Sequence, residues 1–455
     1  MTVPALRAAV PPAVEPAPDT PPPDPGWAPT RALGRVVLVA GLLLVAGVLL
    51  GRVDLVVLAV PFALGTAFAL CRRPTAVPQP QLRVDDNQHA EGGPVAGAVA
   101  VGNPDRVGYD LAVVRTRIPT WLRITEGDRP YAVTVPAADV TEIELRGEAL
   151  RWGRHLLGPA AVRVLACDGL LAYPAVVTNA RRIRVYPATE PFHADEAMPR
   201  AAGLVGAHRS RRPGEGGELA GVRVFGPGDR LRRIDWRVSL RARRLHVAAT
   251  LSDRDAEVVI LLDVLTDAGR SGGVEGAASV LDTAVRAAAA IGEHYLHRGD
   301  RVSLLEYGPA ARRLRPATGR RQYLTLLEWL LDVRVEASRY EPYDQVFGRH
   351  LLSSNALVVV LTPLIDERSA AMLARLARSG RFVVAVDTLP DTAAPAARDA
   401  WADVAYRLWR LERDNIIGQL REHGVPVVRW AGAGSLDLVL RDITRLASAP
   451  KAVLR

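Results

Sequence analysis

The chain has 455 residues, 49% of them apolar and 24% charged, and a formal net charge of +9. That balance excludes wholesale disorder and leaves room for two or three domains with their own cores. Two cysteines, Cys71 and Cys167, cannot build a disulfide framework and lack metal-ligand spacing, which fits a reducing compartment.

Residues 1–30 are rich in Pro and Ala, a composition that buries too little surface to fold, and are expected to be a disordered tail. The stretch "VVLVAGLLLVAGVLLG" follows between Arg35 and Arg52, and "LVVLAVPFALGTAFALC" ends at Cys71, with Pro61 expected to kink it. Neither carries the polar stripe of a buried soluble helix, so residues 33–73 are expected to form a transmembrane helical hairpin. Sixteen uncharged residues rise only about 24 Å, so Gly34, Arg35 and Arg52 are needed to complete the first span. Arg31 and Arg35 precede the hairpin, Arg72, Arg73 and Arg83 follow it, and Arg52 alone lies in its turn. The positive-inside rule then places both ends and all soluble domains in the cytoplasm.

From 83 to 190 short alternating runs such as "GAVAVGNPD", "DLAVVRTRIP", "TEIELRG" and "RIRVYP" predict an all-β sandwich. A Gly-, Arg- and Pro-rich linker opens a basic segment that spans 199–254. Residues 222–246 hold eight arginines against Asp229 and Asp235, but Lys451 is the only lysine in the chain, so arginine is simply its default cation. Nucleic-acid modules interleave several aromatics with their basic residues, and only Phe225 and Trp236 occur here, which argues against nucleic acid as a partner.

From 255 to 450 the rhythm changes. "EVVILLDV", "RVSLLEY", "ALVVVLT", "RFVVAVDT" and "VPVVRWA" are near-continuous apolar runs alternating with helical segments, which predicts a doubly wound, mainly parallel α/β sheet. Functional groups in such sheets lie beyond the carboxyl ends of the strands, which singles out Asp263, Thr266, Thr362 and Asp387. No Gly-rich loop ends in Gly-Lys-Ser/Thr and no Gly-x-Ser-x-Gly elbow appears, so the chain is expected not to be an enzyme. His294 and His297 are expected on a solvated helix surface, and Trp401, Tyr406 and Trp409 on a packed helix face.

The string "GELAGVRVFGPGDRLRRIDWRVSLRARRLHV" resembles the signature of the bacterial family called domain of unknown function 58. The matching positions are Gly217, Glu218, Arg223, Phe225, Pro227, Gly228, Asp229, Arg233, Ile234, Asp235, Trp236, Ser239, Arg241 and Leu245, with Phe225 standing where the family usually has tyrosine. The resemblance implies a membrane anchor, a β-sandwich and a von Willebrand factor A-like α/β domain. It also implies a role as adaptor or assembly factor, with a MoxR-type AAA+ ATPase as partner. By their own chemistry Pro227 and Gly228 make a turn, while Ile234, Asp235 and Trp236 are expected partly buried, the carboxylate paired with Arg233 or Arg241. A structural role for this string is the leading expectation, and partner docking is the alternative.

Von Willebrand factor A domains that bind Mg²⁺ use Asp-x-Ser-x-Ser, a distant Thr and a later Asp, since a small hard cation wants several oxygens. Here Leu265 and Asp267 stand where the two serines belong, and Pro363 follows Thr362. No cofactor is therefore expected, and Asp263, Thr266, Asp267, Thr362 and Asp366 are the residues from which a distorted Mg²⁺ site would have to be improvised. The chain reads as a membrane-anchored protein-interaction module. A metal-dependent protein-binding domain is the second reading, and an anionic-lipid or nucleic-acid binder the third.

Overall fold

The computed structural model describes residues 26–188, 213–226, 231, 234–251, 257–336, 347, 352, 356–379, 381–390 and 401–430. It opens with a two-residue strand β1 (Ala28–Pro29) and two helices, α1 (Arg31–Leu49) and α2 (Val53–Cys71), both long and apolar enough to cross a membrane. Their apolar side chains face outward: Leu38, Leu42, Val48, Leu58, Leu64 and Phe68 are each more than half exposed. A soluble helix pair would bury this surface, so the composition fits a membrane anchor. Helix α1 starts at Arg31, capped by Thr30, which lengthens the span beyond its uncharged core, and α2 runs continuously through Pro61.

A β-rich region follows, with β2 (Gln79–Val84), β3 (Gln88–Ala90), β4 (Pro94–Gly102), β5 (Tyr109–Thr116), β6 (Leu122–Glu126) and β7 (Tyr131–Val135). It continues through β8 (Val140–Ala149), β9 (Gly153–Leu157), β10 (Ala160–Ala166), β11 (Leu171–Val177) and β12 (Arg181–Tyr186). The strands form sheets ordered β1-β11-β10-β5-β7, β2-β4-β8-β6 and β3-β12-β9. Alternate residues of several strands point into one shared core, as in β10, where Ala160, Val162, Val164 and Ala166 are buried.

The sequence places a disordered tail over residues 1–30, but residues 26–30 are built into this core. Trp27 is buried against Tyr109 and Tyr173, with ring centroids 5.6 and 5.5 Å away. β1 pairs with β11, and the Thr30 hydroxyl donates to the carbonyl of Gly169 at 2.8 Å. The other end of the hairpin is held as firmly. Asp105 accepts from the amides of Thr75 and Ala76, and Arg73 donates to the carbonyl of Trp27. Both ends of the hairpin thus plug into one end of the β region.

The segment expected as a linker followed by the signature contributes β13 (Pro213–Val224), the short helix α3 (Trp236–Ala242) and β14 (His246–Leu251), with β13 and β14 forming a two-stranded sheet of their own. Then come β15 (Glu257–Asp263), α4 (Val280–His297), β16 (Arg301–Tyr307), β17 (Arg313–Ala317) and α5 (Gly319–Leu330). The described chain finishes with β18 (Leu357–Thr362), α6 (Glu367–Arg378), β19 (Phe382–Asp387), α7 (Ala402–Glu422) and β20 (Val427–Arg429).

These strands make a six-stranded sheet, β17-β16-β15-β18-β19-β20, parallel except for the edge strand β17. In β15, Val258, Ile260 and Leu262 face the core of α4 and α5, while Val259 and Leu261 face the core of α6. Helices therefore cover both faces, which is why the strands read as unbroken apolar runs. The helical segment expected at 435–448 lies outside the described residues.

Two expectations on helices are overturned. His294 is buried rather than solvated, its ring edge-on to Tyr295 at 5.2 Å; burial first, then the charge of Arg298, lowers its pKa to about 4. Trp401 is 76% exposed, and although Tyr406 and Trp409 stack at 5.6 Å, Val404, Leu408 and Leu411 also reach solvent, so this face of α7 is not a packed one.

Candidate functional site

The sheet order carries the chain from β15 outward through β16 to β17, then back to the other side of β15 for β18. The crevice beyond the carboxyl ends of β15 and β18 is the topological switch point, where open α/β sheets place their functional groups. Asp263 ends β15 and Thr362 ends β18, as the sequence suggests, and the fold brings them together. The Thr362 hydroxyl donates to Asp263 Oδ2 at 2.7 Å, the Ser369 hydroxyl donates to the same oxygen at 2.6 Å, and the Leu265 amide donates to Oδ1 at 3.1 Å. All three side chains are buried.

Beside them Asp387, at the end of β19, holds Arg413 of α7 at 2.5 Å, and the same guanidinium donates to the carbonyl of Pro363 at 3.0 Å. Ser369 and Arg413 escaped the sequence reading because they sit within helices, where no spacing rule announces a contact made across the fold.

The other candidate ligands are employed elsewhere. Asp267 accepts from the Leu281 amide at the start of α4. Asp366 caps α6 and pairs with Arg368 at 2.6 Å. Thr266 is half-buried and joins no cluster among the described residues. On the β16 side of the crevice a cavity of about 220 Å³ is lined by Glu306, Arg312, Asp332 and Arg334, among others. Arg312 lies 4.4 Å over the ring of Trp329 while pairing with Glu306 at 2.8 Å.

Burial pushes the Asp263 carboxyl above the usual range, and the hydroxyls of Ser369 and Thr362 pull it back without cancelling the effect. A carboxyl raised on folding costs stability once pH exceeds its unfolded value near 3.8, and that cost is absent below it. Asp263→Asn, which keeps an acceptor for the hydroxyls, is therefore expected to match or exceed the parent's Tm at neutral pH and to lose that advantage below about pH 4. Asp263→Ala, leaving two buried hydroxyls unpaired, should cost about 2–4 kcal/mol at neutral pH. Thermal melts of the three proteins across pH 3–8 check both statements.

A second cluster joins the β region to the α/β region. Trp152, just before β9, is buried in the core of α4 and α5, and its Nε1–H donates to Asp282 at 3.1 Å. Arg151 reaches the same carboxylate at 2.7 Å, its guanidinium lying over Trp121 and Trp152. Glu91 pairs with Arg286 at 2.6 Å, and Glu328 accepts from Arg154, Arg184 and the Tyr186 hydroxyl. Gly273, with a positive φ of 77°, brings Val274 N–H within 2.7 Å of the Leu150 carbonyl; a Cβ there would meet that oxygen at 2.7 Å.

In the signature segment, Asp235 caps α3 by accepting from the Val238 amide at 3.1 Å, and the Ser239 hydroxyl, buried, accepts from the His246 amide at 2.8 Å. The carboxylate caps the helix, and no bond from it to Arg241, which is exposed, is found among the described residues; Arg233, the other expected partner, lies with Pro227, Gly228 and Asp229 outside the described residues. Ile234 is buried as expected. Trp236 is not: it is 62% exposed, because it opens a short helix whose only buried residue is Ser239. Leu245 is also exposed, and Glu218 falls on β13.

Apolar hairpin, β-rich middle and sheet with helices on both faces thus define a multidomain chain with a polar cluster at its switch point. The family model described as "Protein of unknown function DUF58" matches residues 221–396. Over 127 residues the chain is 35% identical to uncharacterised proteins of Mycobacterium tuberculosis and Mycobacterium bovis, covering 27% of this chain and 38% of each relative's length. Among solved structures, the cupredoxin domain of amoB from Nitrosocaldus yellowstonii matches with 9% identity and a TM-score of 0.18, over 27% of this chain and 95% of that one.

Proposed function

We propose that the chain is a non-enzymatic membrane-anchored adaptor. The hairpin lies in the inner membrane of a bacterium with the soluble regions in the cytoplasm, the β region is a sandwich acting as spacer, and the α/β region is of the von Willebrand factor A type. The partner is a MoxR-type AAA+ ATPase. The observation that carries this reading is the arrangement of the two interfaces. The hairpin plugs into the β region at Asp105, just past the Gly102 end of β4, whereas Glu91 and Trp152, at the Pro94 end, meet the α/β region. Nine residues of β4 separate the two, about 30 Å at strand rise, so the α/β region is held off the membrane surface.

The adaptor reading draws further support from the switch point, where Asp263 and Asp387 are occupied by Thr362, Ser369 and Arg413. The sheet with Asp263 closing its first strand favours the von Willebrand type. In detergent, the full-length protein mixed with a MoxR-type ATPase is expected to elute as one complex that persists at about 0.5 M salt, where screening has shortened the range of surface charge. Separate elution at low salt, or product formation by the isolated chain in a turnover assay, would refute the adaptor role.

A further inference from the structure

Extending the adaptor reading, we propose that the unit formed by β13, α3 and β14 is the landing surface for an acidic, apolar-studded segment of a protein partner. On α3, Trp236 and Leu240 are one helical turn apart and 62% and 78% exposed; Leu231 before it and Leu245 after it are 71% and 45% exposed. Arg237, Arg241, Arg243 and Arg244 are exposed among them. An apolar set of this kind, centred on Trp and rimmed by Arg, has the composition of an interface hot spot.

Charge complementarity selects the occupant. The acid inside this stretch, Asp235, is half-buried and spends one oxygen on the Val238 amide, so the described surface around Trp236 presents hydrocarbon and four exposed guanidiniums against one partly covered carboxylate. Arg243 caps the carboxyl end of α3 with φ +48°, which sets its exposed guanidinium beside Leu240 and Leu245 in the chain.

Position argues for a polypeptide over a bilayer. Residues 252–256 tie the unit to the amino end of β15, whereas the loop after the carboxyl end of β15 meets the β region through Val274 and Glu275. Six Cα steps span at most about 20 Å. The unit is therefore tethered at the pole of the α/β region that points away from the β region and its hairpin.

The test uses full-length protein in detergent and a fluorescein-labelled synthetic peptide alternating Glu and Asp with Leu and Phe, read by anisotropy. The peptide is expected to bind, and Trp236→Ala and Leu240→Ala each to weaken it at least about tenfold. Arg241→Gln with Arg244→Gln should weaken it and flatten its salt dependence, with Tm within about 1 °C of the parent for all variants because the residues are exposed.

Poly-glutamate, single-stranded DNA and phosphatidylglycerol vesicles are the competing probes. Binding of any of these that matches the peptide and ignores Trp236→Ala would overturn the proposal in favour of plain electrostatics. No peptide binding would also overturn it, as would a Tm loss of many degrees in Trp236→Ala, which would make the ring a packing residue. Because the probe is a peptide, the outcome is separable from co-elution with an ATPase, which can fail while the surface stands.

Discussion

Asp282→Ala is expected to lower stability by about 3–5 kcal/mol, the cost of removing one partner from a buried ion pair. Besides drawing the Ser271 hydroxyl, the fully buried carboxylate holds Arg151 at 2.7 Å, accepts from the Trp152 indole, and accepts from the Ser279 amide to close the capping box of α4. Alanine leaves a guanidinium and two N–H groups without their acceptor, in a place where little water can replace it. For a region of this size the loss corresponds to roughly 6–20 °C in Tm.

Asp282→Asn should cost less, since an amide oxygen can still accept from Trp152. Arg151→Ala combined with Asp282→Ala should be milder than the sum of the two, because the pair is coupled. Burial pushes the Asp282 carboxyl up, but the Ser271 hydroxyl and Arg151 pull harder, and it ends below the usual range. A carboxyl depressed on folding contributes stability that is present above its unfolded value near 3.8 and lost as pH falls through the folded value. Glu328 and Asp332 in the same interface are depressed as well. The two regions should therefore stay joined at neutral pH and part below about pH 4, a transition smaller in Asp282→Ala, where only Glu328 and Asp332 still contribute to it. A parent whose melting is flat from pH 7 to 2, or an alanine variant that melts with it, would show that this network does not hold the interface.

How much of this was legible depends on where each residue's partners lie. The five parallel strands were readable because burial on both faces leaves a continuous apolar run in the sequence itself. The edge strand β17 was not: "RLRPA" alternates, carries Pro316, and counts as a strand only because β16 pairs with it. Asp263 and Thr362 could be named because they end apolar runs, whereas Ser369 reaches Asp263 from the first turn of a helix whose docking the sequence does not encode locally. Trp236 departs from its expected burial for the opposite reason. An aromatic in a folded stretch is usually covered, but whether a neighbour covers it is a tertiary matter, and here the described chain leaves it open.

Trp27 was hidden by its surroundings, and removing it is the second large effect expected. Proline and alanine on either side place it in a tail by composition, yet its ring lies between Tyr109 and Tyr173, and its Nε1–H donates to the Ala76 carbonyl at 3.2 Å, just past the end of α2. Trp27→Ala should cost about 3–5 kcal/mol, the range for deleting a large buried aromatic. Trp27→Phe, which keeps most of the packing and loses the indole donor, should cost nearer 1–3 kcal/mol, the penalty for an orphaned acceptor.

The alanine variant should also expose the junction to protease, with new cleavage near residues 26–30 in detergent-solubilised protein. The stretch after α2 should stay protected, because Asp105 still holds the Thr75 and Ala76 amides. Cleavage at both junctions would mean that the hairpin is clamped as one unit through the Trp27 ring. Cleavage at neither, with an unchanged Tm, would mean that β1 pairing and the Thr30 cap suffice, and that the ring merely fills space.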